Sequence, residues 1–165
     1  MKKICLILGL VLFIFGMIIF FRNDSIDISS IQKYDKEAST LIECKNVNDF
    51  YMDIVLYKNK ENEYCLMGLR NNAFIFGAPS RKDASINMYE EYANGKGTYI
   101  VYGNDKLVAR IEYKVNGKDQ HIIPEKKDYV FEVIVIDGNK RIEDLKVLSA
   151  SDEVLFTYNS VEEFL

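Results

Sequence analysis

YMDIVLYKNKENEYCLMGLR, residues 51–70, decides what kind of fold this chain adopts. Met52, Ile54 and Leu56 alternate with Tyr51, Asp53, Val55 and Tyr57, a period of two that puts the two sets on opposite faces of a β-strand. NKEN (59–62) is a polar loop of hairpin length, and EYCLMGLR (63–70) resumes the strand pattern. Upstream, TLIECKNV (40–47) has the same character. Downstream, AFIFG (73–77) follows Asn71-Asn72, residues that tolerate the left-handed backbone of a tight turn. The four runs predict an antiparallel meander.

The C-terminal half repeats this texture. TYIVYG (98–103), KLVARIEYKV (106–115), KDQHII (118–123), DYVFEVIVI (128–136), RIEDLKVLS (141–149) and VLFTY (154–158) are β-branched or aromatic runs divided by turn residues. Asn116-Gly117 is the sharpest hairpin signal, because a type I′ turn needs positive φ at both central residues. Pro124 ends a ladder. Residues 85–93, SINMYEEYA, fit either a short amphipathic helix or an edge strand, and the closing SVEEFL fits a helical turn or a docked tail. Strands at this spacing fit an antiparallel sandwich or a partly closed barrel; the expected fold class is mainly β, an antiparallel two-layer β-sandwich with halves at 40–97 and 98–165.

Ahead of this domain, ICLILGLVLFIFGMIIFF (4–21) is apolar throughout and follows Lys2 and Lys3. As a helix it would reach about 27 Å, close to the roughly 30 Å hydrocarbon core of a bilayer. The run is longer than a signal-peptide core, lacks an A-x-A-like site, and carries bulky Ile18, Ile19, Phe20 and Phe21 where cleavage needs small residues. These features favour an uncleaved transmembrane signal anchor, residues 1–22, over a cleaved leader. Lys2 and Lys3 against Arg22, Asp24 and Asp27 predict a cytoplasmic N-terminus and an extracytoplasmic C-terminal domain in the cell membrane. Gly9 and Gly16 are too far apart for the small-x-x-x-small helix-packing motif. Residues 23–39 read as a polar connector with a short helix capped by Ser29 or Ser30, its simplest role being a spacer.

Setting aside Lys2 and Lys3 leaves 19 basic residues against 25 acidic ones, a net charge of −6. That balance excludes the basic footprint of nucleic-acid binding. IVLYKNKENEYCLMGLRNNAFIFG (54–77), with the later TYIVYG and ARIEY, resembles a group of small, uncharacterised, membrane- or lipid-anchored extracytoplasmic proteins of Gram-positive bacteria. The resemblance covers much of residues 50–158. It implies location and a β-rich fold, and it transfers no catalytic residue and no cofactor.

The chemistry-bearing residues are sparse. Cys44 and Cys65 are the thiols outside the apolar run, and in an oxidising compartment they are a candidate disulfide; the competing reading is two small buried hydrophobes. His121 is the sole histidine, without a close-spaced metal partner or a G-x-S-x-G elbow, so a strand-edge residue is expected over a catalytic one. Glu90-Glu91, Glu143-Asp144, Asp152-Glu153 and Glu162-Glu163 are adjacent carboxylates, which point apart in a strand instead of converging on one bond. Asp137-Gly138-Asn139 lacks the remaining ligands of a calcium loop. Tyr89, Tyr92, Tyr99, Tyr102 and Tyr113 crowd one region and are the candidate interaction surface, ordinary sheet tyrosines being the alternative. The inventory favours a non-enzymatic interaction or accessory module for an envelope or membrane protein; the alternative is an extracytoplasmic ligand sensor or enzyme with a site near His121.

Overall fold

The computed structural model describes residues 26–48, 51–79, 84–93, 95–138 and 140–159. The expected span at 4–21 and the SVEEFL tail lie outside the described residues. Among those described, no helix is long and apolar enough to cross a membrane.

Among the described residues, eleven strands follow one short helix, and every strand pairing is antiparallel. Helix α1 is Ile28–Gln32. Strands β1 (Ala38–Val47), β2 (Met52–Asn59), β3 (Tyr64–Arg70) and β4 (Ala73–Pro79) form sheet A in sequence order, the predicted meander. Sheet B has the order β5-β6-β9, from Ile86–Ala93, Lys96–Gly103 and Val130–Asp137. Sheet C has the order β11-β10-β7-β8, from Val154–Asn159, Ile142–Ser149, Val108–Val115 and Lys118–Ile122. Residues 86–93 take the strand alternative, because pairing with β6 satisfies their backbone.

The turns obey the residues that make them. Asn71 and Asn72 have φ of 50° and 59°, and Asn116 and Gly117 have 51° and 68°, the paired positive values of a type I′ hairpin. On β2 the predicted alternation also holds: Met52, Ile54 and Leu56 enter one core, while Val55 and Tyr57 enter another.

The layering goes beyond a two-layer arrangement. One core lies between sheets A and B, joining Leu56 and Leu66 to Ile100, Tyr102 and Phe131. A second lies between sheets B and C, joining Tyr99, Val101 and Ile134 to Ile111, Leu145 and Val147. Strand β6 feeds both: Ile100 and Tyr102 go one way, Tyr99 and Val101 the other. A third core covers the outer face of sheet A with α1, where Ile31 is buried among Val55, Met67 and Leu69.

Residues 26–37 are therefore docked on the domain and do not act as a free spacer. Their helix cap is Asp27, not Ser29 or Ser30. The Asp27 carboxylate accepts from the Ser30 N–H at 2.9 Å and from both serine hydroxyls, so the serines serve the cap as donors. Those same donors hold the Asp27 carboxyl below its ordinary value.

Strand β4 is irregular opposite Gly68 and Leu69. Gly68 faces Phe76 and Leu69 faces Phe74, so Ile75 is the extra residue of a β-bulge. The bulge sends Phe76 into the core between sheets A and B and turns Phe74 to the helix side of sheet A. Phe76 lies stacked on Tyr89 at 4.3 Å and covers Gly68, where a Cβ would stand 2.3 Å from its ring. Gly68→Ala is expected to destabilise the protein by about 1–3 kcal/mol through overpacking. Denaturant unfolding of the detergent-solubilised chain checks this, and an unchanged midpoint would contradict the packing described.

Candidate functional site

The five clustered tyrosines do not form one surface, because alternation along β6 divides them. Tyr99 and Tyr102 are buried on opposite faces, Tyr89 stacks on Phe76, Tyr113 packs half-buried against the core between sheets B and C, and Tyr92 is exposed. What Tyr99 builds instead is a polar node inside that core. Its hydroxyl accepts from the Ile142 N–H at 3.1 Å and meets the Tyr92 hydroxyl. Tyr158 packs edge-on against the Tyr99 ring and hydrogen-bonds Glu90, while Arg141 sits 4.9 Å from the centre of the Tyr92 ring. Burial first, then these bonds, push the Tyr92 and Tyr158 hydroxyls far above the ordinary phenol range, so both stay protonated.

The node holds β10 to β6. Tyr99→Phe would leave the buried Ile142 N–H without its acceptor, an expected loss of about 1–3 kcal/mol, whereas Tyr113→Phe should change little. Comparing the two unfolding midpoints checks the assignment.

Cys44 and Cys65 are both free, which corrects the candidate disulfide. Cys44 pairs with Val55 and Cys65 with Tyr57, so β2 lies between their strands. Two strand spacings, about 9.5 Å, exceed the Cα separation a disulfide allows. Desolvation of the Cys44 sulfur, then the charges of Asp53 and Glu43, push its thiol up to about 11. At neutral pH it is a poor nucleophile.

His121 is exposed on β8, opposite Glu112 across the ladder to β7. It borders a shallow cavity of about 390 Å³ on the outer face of sheet C, shared with Glu112, Lys114, Asp119, Asp144 and Lys146. Charges of both signs are already paired there: Lys146 with Asp144 at 3.6 Å, Lys114 with Asp119 at 3.7 Å and Arg110 with Glu112 at 2.7 Å. Among the described residues, no three His, Cys, Asp or Glu side chains are grouped to hold a metal ion.

A larger cleft, of about 830 Å³, opens between the β6–β7 turn, the 123–128 segment and the β10–β11 turn. Its walls combine apolar Leu107, Ile123 and Pro124 with Lys106, Lys126 and Lys127 and with the carboxylates of Asp128 and Glu153. Ile123 is 74% exposed and Leu107 59%. Lys106 and Lys126 form no ion pair among the described residues. Isolated positions in the sequence gave no sign of this site, since its walls come from three separate connections; the run of lysines after Pro124 is the one local signal.

One wall is fixed by an ionic clamp from β1. Glu43 accepts from Lys127 at 2.7 Å and from the Tyr129 hydroxyl at 2.6 Å, and Lys45 pairs with Glu132 at 2.9 Å while donating to the Phe131 carbonyl. Burial alone would raise the Glu43 carboxyl, but the Lys127 and Tyr129 donors and the charges of Lys127 and Lys45 outweigh it and hold it below the ordinary range. A depressed carboxyl contributes stability that is complete above its unfolded value, about 4.3, and is lost as pH falls through its lower folded value. Glu43→Gln should therefore lower stability at pH 7, and its difference from the parent should shrink on acidification below about pH 4. Unfolding midpoints across pH 3–7 check this.

In comparisons with known proteins, no family model, no curated protein and no solved structure matches this chain.

Proposed function

We propose that this chain is a membrane-anchored extracytoplasmic module that holds another envelope or membrane protein and performs no chemistry of its own. The observation that carries this reading is the open cleft with exposed Ile123 and Leu107 beside Lys106 and Lys126, which form no ion pair among the described residues. Its chemistry suits an extended segment bearing apolar and acidic side chains: Leu107 and Ile123 offer area to bury, and the lysines orient a carboxylate at the rim. The apolar run at 4–21 supports the anchor, and confinement to one membrane raises the effective concentration of a partner in the same surface.

The antiparallel layers support the sandwich description of the domain, extended here to three stacked sheets. A second reading, a ligand sensor or enzyme at His121, has in its favour the smaller cavity with His121 opposite Glu112.

Crosslinking of the tagged full-length chain in its native membrane, followed by mild-detergent extraction, tests the proposal. A stoichiometric partner captured by the parent and lost from Ile123→Asp is the expected result. Equal capture by both, or capture lost only from His121→Ala, would move the site away from the cleft. A reporter fused after Leu165 should be active outside the cytoplasm; activity inside would overturn the orientation drawn from Lys2 and Lys3.

A further inference from the structure

Tyr34 and Phe74 form an exposed patch on the helix side of sheet A, 45% and 46% accessible, and the bulge residue Ile75 next to Phe74 is 41% accessible. The Tyr34 and Phe74 rings lie 5.7 Å apart, and the Tyr34 hydroxyl donates to the Asn72 carbonyl at 2.8 Å, which pins the ring across the β3–β4 turn. Phe74 reaches this side only because of the bulge at Ile75. The bulge thus spends a regular ladder position to expose two large apolar side chains that a straight strand would distribute differently.

The charges around the patch are arranged unevenly. Asp35 accepts from the Tyr57 hydroxyl at 2.7 Å, and Glu37 pairs with Lys60 at 3.2 Å. Lys33 and Lys36 are exposed and form no ion pair among the described residues. A domain of net charge −6 thus presents here two aromatic rings and an aliphatic side chain beside lysines without an ion pair among the described residues, whereas the apolar walls of the Leu107–Ile123 cleft carry no aromatic ring. The residue types of the patch favour the headgroup layer of a bilayer, where amphipathic rings and lysines act as anchors.

The length of chain between the apolar run and the domain selects the occupant. Ile26 already packs in the same core as Ile31 and Leu69, and Leu69 is the register partner of Phe74. Only five Cα steps separate Ile26 from Phe21, a reach of no more than about 18 Å even when fully extended. We infer that the Tyr34–Phe74–Ile75 face rests on the lipid surface, with Lys33 and Lys36 toward the headgroups, so that the domain is held flat against the membrane with the Leu107–Ile123 cleft away from it. This inference rests on the anchored reading given above.

The chain has no tryptophan, so a single substitution supplies a site-specific depth probe. Full-length Ile75→Trp, Phe74→Trp, Leu107→Trp and Phe15→Trp chains are reconstituted into phosphatidylcholine vesicles with brominated acyl chains. Ile75→Trp and Phe74→Trp should lose most of their emission relative to unbrominated vesicles and resist aqueous iodide. Leu107→Trp should keep its emission and be quenched by iodide. Quenching of Phe15→Trp by bromine, with both patch variants unquenched, would overturn the inference and leave the anchor standing. No quenching of Phe15→Trp would remove the anchor and the inference together. Equal quenching of Leu107→Trp and the patch variants would show a domain without a preferred face, which also overturns it.

Discussion

Strand β6 is buried on both sides, and the rest of the molecule is arranged around that constraint. A strand with one wet face alternates apolar and polar residues; Tyr99 to Tyr102 cannot, because each side chain enters one core or the other. Sheet A covers the Ile100 and Tyr102 side, and sheet C covers the Tyr99 and Val101 side. Burial of two tyrosines then demands partners for their hydroxyls, since an unbonded buried hydroxyl costs free energy comparable to a lost hydrogen bond. Tyr99 takes the Ile142 N–H, and Tyr102 lies within reach of the Ala78 and Pro79 carbonyls, so the polar tips of β6 tie the outer sheets to the middle one.

The electrostatics follow a similar division of labour. The ion pairs that bridge sheets A and B use Glu43, Lys45, Lys127 and Glu132, which are shielded enough for their geometry to count. Pairs on the outer face of sheet C, such as Lys114 with Asp119, are exposed and contribute little to stability. Their effect is to neutralise the surroundings of His121. The cleft beside Ile123 differs in kind: Lys127 is held from behind by Glu43, while Lys106 and Lys126 have no ion pair among the described residues.

Much of the fold was legible from residue order. The meander of sheet A, the Asn-Asn and Asn-Gly turns and the two-faced β2 all follow from local rules that act within a few residues. The candidate site was less so. Adjacent tyrosines suggested a surface, yet a period of two sends Tyr99 and Tyr102 to different cores. Cys44 and Cys65 sit on strands whose separation by β2 depends on pairing order, which spacing alone does not encode.

The amino-acid sequence by itself determined the strand-and-turn grammar, the acidic balance of the domain, and the apolar run preceded by two lysines. Each of these depends on neighbours in the chain, so periodicity and composition suffice to read them. Tertiary structure alone decided that residues 26–37 dock on sheet A, that Ile75 is a bulge presenting Phe74 beside Tyr34, and that three distant connections enclose the cleft of Leu107 and Ile123. Those features arise from contacts between segments many residues apart, where the energy of burying an apolar face, and not the local pattern, chooses the partner.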